Sequence, residues 1–199
     1  LATKTYSRDT KRVDMKVCLV VSDFAPRVGG ISTFNSHLAA GLALNPKVEH
    51  VLVLALQGRE VGVEKLSPKL TVRRMPRGNV LQTFLTLRRE LTAARGYDIL
   101  HSPNVFPVGL CTLIIGKYFL KMPFVSTFMG TDVLTSAGNF ITRWLKRFTV
   151  LHADAATTIS YSTRRLTAEK YDVPESRFAV VYYPLPPHSK TSVAEVRGT

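Results

Sequence analysis

Gly29 and Gly30 stand side by side where an apolar strand gives way to an amphipathic helix, the junction in this chain best suited to hold an anion. Val17 to Val21 form an unbroken apolar run of strand character, Pro26 and the two glycines interrupt it, and Ile31, Phe34, Leu38 and Leu42 then recur at helical spacing. Glycines let a ligand come close to the backbone. The N–H groups of a helix's first turn, here around Ile31, Ser32 and Thr33, favour a phosphate or carboxylate. Arg27 adds a cation to the loop, either for that anion or for solvent. The pattern is not a P-loop, since no Lys-Ser/Thr pair follows, and no third glycine completes G-x-G-x-x-G. Two readings stay open: a phosphate contact and a plain tight turn.

Such a loop needs a scaffold that ends strands and starts helices along one edge. Strands are predicted over 17–21, 50–56, 70–74, 97–101, 123–128, 155–159 and 178–182, with helices following Ile31 and over 80–95, 106–120, 140–152 and 162–171. This alternation predicts an α/β, Rossmann-like domain, with a mostly parallel twisted sheet and helices on both faces. Ligands of such sheets sit at the carboxyl ends of the strands, which singles out four loops, 22–30, 101–104, 129–137 and 160–162.

The 199 residues, 45% of them hydrophobic, suffice for one domain with a sizeable core. Residues 1–14 read as a polar extension, 15–183 as the domain, and 184–199, first Pro-rich and then polar, as the start of a linker. With 27 Lys and Arg against 14 Asp and Glu, the formal charge of +13 predicts an anionic partner: phosphate groups, nucleic acid or an acidic membrane surface. Cys18 and Cys111 lie in apolar segments and read as buried thiols, which predicts a reducing, cytoplasmic setting and no metal site. Neither a membrane-spanning run nor a secretory signal is recognisable.

In order and at strand ends, SDFAPRVGGISTFNSHLAAGLA (22–43), YDILHSPN (97–104), MPFVSTFMGTDVL (122–134), HADAATTISYSTRRL (152–166) and FAVVYYPLPP (178–187) resemble the N-terminal domain of retaining, nucleotide-sugar-dependent glycosyltransferases. These are the group-1 enzymes of GT-B fold, and the resemblance spans most of the chain. It implies an acceptor-side half whose partner half grips the nucleotide and carries an acidic E-x7-E motif. No such motif occurs here, so the chain is expected to be one half cut at the linker, inactive alone, with a nucleotide-diphosphate sugar as donor substrate and no permanently bound cofactor.

The resemblance places Gly29, Gly30, Ile31 and Ser32, with Gly130 and Thr131, at the donor phosphate and sugar, and His101, Asn104, Asp132 and Ser160 at a saccharide or lipid-linked acceptor. Asp132 is also the one candidate for a catalytic role, or else caps the turn after it. Met129 stands where the family usually has a histidine and cannot shuttle a proton. Tyr182-Tyr183-Pro184 departs from the usual Pro-Asn-Gly or Pro-Asn-Pro, leaving no asparagine for its contact.

The segment FITRWLKRFTVLH (140–152) mixes aromatics with cations. Either its apolar stripe packs on the sheet, or Trp144, Lys146 and Arg147 meet an anionic membrane, which suits a lipid-linked acceptor and a peripheral position on the cytoplasmic face. Arg73, Arg74, Arg77, Arg88, Arg89 and Arg95 extend the basic surface. Nucleic acid is disfavoured, since no RNP aromatic pair, zinc spacing or helix-turn-helix appears. A nicotinamide site is disfavoured by Gln57, where an acidic residue would clamp the ribose. The rival to a transferase half is a basic Rossmann-like domain that binds an anionic ligand, a membrane surface or nucleic acid without catalysis.

Overall fold

The computed structural model describes residues 14–58, 61–130 and 140–183. From the N-terminal side, β1 (Met15–Val21) leads into α1 (Gly30–Leu44), β2 (Val48–Leu56), β3 (Gly62–Ser67), β4 (Leu70–Met75), α2 (Val80–Ala93) and β5 (Ile99–Ser102). Then come α3 (Leu110–Thr112), continued in wider turns through Leu113–Phe119, β6 (Phe124–Phe128), α4 (Phe140–His152), β7 (Ala155–Thr158), α5 (Tyr161–Tyr171) and β8 (Phe178–Val180).

One eight-stranded sheet runs in the order β3-β4-β2-β1-β5-β6-β7-β8. Every described pairing is parallel except β3 with β4. This is the Rossmann-like α/β architecture expected from the alternation. β1 lies inside the sheet because Val17 to Val21 are apolar in succession and all are buried. The chain leaves β1 toward β2 on one side and later returns to β5 on the other, so right-handed crossovers put the helices on opposite faces. Ala39 of α1 packs with Val17, Leu19, Val21, Val51 and Val53 on the first face. Helices α2 to α5 share the second face, over Cys18, Val20, Leu54, Leu100, Phe124 and Phe128. Both faces carry helices, but unequally.

Three local expectations need correction. β3 is absent from the sequence reading because GVEKLS is polar and mostly exposed; it forms by folding back antiparallel along the edge of β4. The helix expected from residue 106 begins later, because Phe106 is extended (φ −143°, ψ 139°), as suits a residue preceding a proline. On α4, only part of the apolar stripe packs on the core: Thr149 and Val150 are buried and Phe148 is partly buried against the core, while Phe140, Ile141 and Trp144 are exposed.

Helix α2 illustrates how local chemistry fixes an element. The Asn79 side chain accepts the Gln82 N–H at 2.9 Å, and Gln82 Oε1 accepts the Asn79 N–H at 3.0 Å, a reciprocal cap that sets its first turn. Leu87 and Leu91, one turn apart, are then fully buried against the sheet.

Candidate functional site

The sheet order reverses at β1, and the loop 22–29 emerges from its carboxyl end beside β5. That position is the topological switch point, where open α/β sheets form a crevice. Four elements hold the loop. From the β5 side, Asn104 Oδ1 accepts the Ser22 N–H at 2.9 Å. From the end of β2, Gln57 Oε1 accepts the Phe24 N–H at 2.8 Å. From α1, Asn35 Nδ2 donates to Asp23 O at 2.7 Å, and from β4 the Arg74 guanidinium donates to Ala25 O at 2.6 Å. Phe24 is buried beneath the loop, so its backbone is fixed before any ligand arrives.

Gly29 closes the loop at φ 157°, ψ 156°, a region that residues with a side chain rarely enter. Helix α1 starts immediately after it with no side-chain cap and no acidic residue in its first turn. The first helical bond is Thr33 N–H to Gly29 O at 2.9 Å, and Thr33 Oγ1 donates to the same oxygen at 3.0 Å. The N–H groups of Gly30, Ile31 and Ser32 precede that bond and belong to the uncapped, electropositive end of the helix. They border a hollow of about 350 Å³, lined by Asp23, Arg27, Gly29, Gly30, Ile31 and Ser32. Arg27 is not a free cation there: its guanidinium pairs with Asp23 at 2.7 Å. An incoming phosphate would have to share Arg27 with that carboxylate.

Tyr183 comes back from beyond β8 to the same helix. Its hydroxyl donates to Gly30 O at 3.2 Å, and its ring meets Phe34 edge-on with centroids 5.1 Å apart. The residue that breaks the family pattern at 182–184 therefore buttresses the Gly-Gly junction from behind.

The remaining site residues lie along the same sheet edge but do not all join the hollow. His101 Nε2 and Thr127 Oγ1 are 2.7 Å apart, and Thr127 Oγ1 meets Thr157 Oγ1 at 2.6 Å, a polar ladder across β5, β6 and β7. Burial lowers the His101 pKa to about 4, so the imidazole is neutral at pH 7. Asn104 turns its oxygen to Ser22, as above. Ser160 caps α5: its Oγ accepts the Thr163 N–H at 3.0 Å. Three strand spacings separate its strand, β7, from β1, roughly 14 Å. Met129 is buried and Gly130 half-buried at the end of the described stretch. Thr131 and Asp132 lie outside the described residues.

Several participants carry no sequence signal of their own. Gln57 and Asn35 act through single hydrogen bonds to the loop and Tyr183 through a hydrogen bond and a ring contact, and only the fold brings them there. Among the described residues, no three His, Cys, Asp or Glu side chains stand close enough to hold a metal ion. Cys18 and Cys111 are free and buried, and burial raises both thiol pKa values, that of Cys111 to about 11.

A Rossmann-like sheet with a glycine-bearing loop and an uncapped helix start at its switch point is the arrangement in which open α/β sheets form a ligand crevice. The sequence profile of Glycosyltransferase Family 4 matches residues 28–188, and the chain belongs to that family. Solved structures agree in fold. Anabaena HepE in complex with UDP-glucose superposes with a TM-score of 0.59 at 13% identity, covering 85% of this chain and 44% of its own. A glycosyltransferase from Rickettsia africae gives 0.60 at 13% identity, covering 84% and 43%. A UDP-N-acetylglucosamine 2-epimerase from Rickettsia bellii gives 0.55 at 11% identity, covering 83% and 44%. The chain thus spans less than half the length of these structures. No curated protein matches it in sequence.

Proposed function

We propose that this chain is the acceptor-side half of a retaining glycosyltransferase that moves a sugar from a nucleotide-diphosphate donor to a saccharide or lipid-linked acceptor. Membership of Glycosyltransferase Family 4 supports the reaction class, and the UDP and UDP-glucose complexes of Anabaena HepE support the donor class. The observation that carries the reading is the uncapped start of α1 behind Gly29 and Gly30, held rigidly at the switch point.

Sugar transfer leaves negative charge on the departing diphosphate. Fixed N–H dipoles at Gly30, Ile31 and Ser32 stabilise that charge more as it develops than in the bound donor, and their rigid loop spares the reorganisation that water would need. The neutral imidazole of His101 and the open carboxyl edge toward β7 leave the other side of the crevice to an acceptor hydroxyl. A partner half of similar fold supplies the grip on the nucleotide, and without it this chain transfers no sugar.

The test uses the natural polypeptide that contains this chain. Gly30→Val adds a side chain where nothing lies within 4 Å of a Cβ, so folding is unaffected while the approach to the backbone is blocked. UDP and UDP-glucose affinity, measured by calorimetry, falls at least about tenfold, the loss of roughly one well-made charge-assisted contact. Unchanged affinity would remove the diphosphate from this loop, and sugar transfer by residues 1–199 alone would refute the division of labour.

A further inference from the structure

From the outer surface of α2, α3 and α4 we infer a docking face for an anionic lipid bilayer, with a phosphate-receiving cleft between α2 and α3. The inference rests on surface chemistry alone and stands or falls independently of the sugar-transfer reading.

Charge is the first observation. Residues 80–95, 105–121 and 140–152 contain one acidic residue, Glu90, and it is bound to Arg73 at 2.6 Å. Against it stand Arg88, Arg89, Arg95, Lys121, Arg143 and Lys146, none with an ion-pair partner among the described residues. Two other cations of this face are already engaged: Lys117 with Asp154 and Arg147 with Asp172, both at 2.7 Å. Arg147 therefore leaves the set of membrane contacts that the helix alone suggested, while Trp144 and Lys146 stay.

Apolar exposure is the second. Phe119 is 69% and Trp144 53% exposed, and Leu81, Leu85, Phe140 and Ile141 are exposed as well. Two of them are joined by rings. Trp144 stacks on Phe148 (centroids 5.8 Å), and Phe148 stacks on Tyr118 (6.5 Å), the neighbour of Phe119, so a continuous aromatic row joins α4 to the α3 end. There the row reaches a cleft of about 360 Å³ whose walls are Phe84, Ile115, Phe119 and Leu120 and whose cations are Arg88 and Arg95.

A soluble face does not need unpaired arginines over an apolar floor, whereas an interface does: aromatic rings enter the headgroup region and guanidinium groups take the lipid phosphates. Duplex nucleic acid would match the charge but leaves Phe119, Trp144 and Ile141 without a partner. Several such cations acting together near an anionic leaflet are enough for reversible binding.

The chain holds a single tryptophan, Trp144, so its fluorescence reports contact directly. Phosphatidylcholine vesicles with phosphatidylglycerol are expected to bind the protein and shift Trp144 emission to the blue, with binding weakened by salt, while pure phosphatidylcholine does neither. Arg88→Glu with Arg95→Glu lowers vesicle affinity about tenfold or more. Lys47→Glu with Lys65→Glu, the same change in charge on remote exposed positions, lowers it far less. No vesicle binding, binding without a Trp144 shift, equal loss in both double variants, or displacement of vesicles by duplex DNA would each overturn the inference.

Discussion

The side chain of Asn104 accepts the backbone N–H of Ser22 at 2.9 Å, joining positions 82 residues apart. β1 and β5 pair only as far as Leu19 and His101, so beyond that register the N–H of Ser22 has no strand beside it. Asn104 supplies the missing acceptor by reaching back over the end of β5. Ser102 completes the clasp: its hydroxyl lies 3.0 Å from Val20 O and 2.9 Å from Asn104 O. The loop that carries Gly29 and Gly30 is thus positioned from a strand end that is itself tied down.

Replacing Asn104 with Leu leaves the part-buried Ser22 N–H without an acceptor, a loss of about 1–3 kcal/mol in unfolding free energy by denaturant titration. Asn104→Asp keeps an acceptor oxygen at the same place and is expected to retain most of that stability. If the two variants are equally destabilised, the bond to Ser22 is not what Asn104 contributes.

Acid sensitivity follows from His101. Burial lowers its pKa from 6.5 to about 4, so between those values the unfolded chain binds a proton that the folded one refuses. Stability therefore declines as pH falls below 6.5 and reaches its full loss near 4. The displacement sets a ceiling of about 3–4 kcal/mol at ~1.4 kcal/mol per unit, and the part of His101 that still meets solvent reduces it. His50, lowered chiefly by its own burial, acts in the same direction. Asp154 does not contribute in this window: burial opposes its charge, but Lys117 and the Phe124 N–H hold its pKa below the usual carboxylate value, so its loss comes at lower pH. His101→Gln retains a partner for Thr127 and is expected to flatten the decline measured between about pH 7 and 4.5. A wild-type slope in the variant would clear His101.

Much of this architecture is visible in the sequence, because the central strands β1 and β2 are apolar runs whose burial requires a covered parallel sheet, and shorter strands alternate with helices after them. β3 is not visible, since its formation depends on an edge of β4 and not on its own residues. The glycine junction is legible because its chemistry is local: a backbone turn, an uncapped helix start and a neighbouring arginine. Its supports are not legible. The pairing of Arg27 with Asp23 is a side-chain choice between solvent and a carboxylate four residues away, and the anchoring by Gln57 and Tyr183 depends on distant elements that only the fold assembles. The α4 stripe misleads for the opposite reason. Its apolar period promises a packed face, yet only Thr149 and Val150 are buried, Phe148 is partly buried, and Phe140 and Trp144 turn outward.

Gly109 gives the sharpest test of how tightly the switch point is built. A Cβ there would collide with the carbonyl oxygen of Asn104, a backbone atom held in turn by the Ser102 hydroxyl, so the strain has no flexible side chain to absorb it. Gly109→Ala is expected to cost about 1–3 kcal/mol and, by shifting Asn104, to expose the Ser22 N–H to faster hydrogen exchange. Gly41→Ala is the matched control. It lies inside α1 with nothing within 4 Å of a Cβ, and the same substitution there is expected to stabilise by about 0.5–1 kcal/mol through helix propensity. Opposite signs for one chemical change at two helical glycines would show that backbone crowding beside Asn104, and not the intrinsic cost of losing a glycine, keeps position 109 bare.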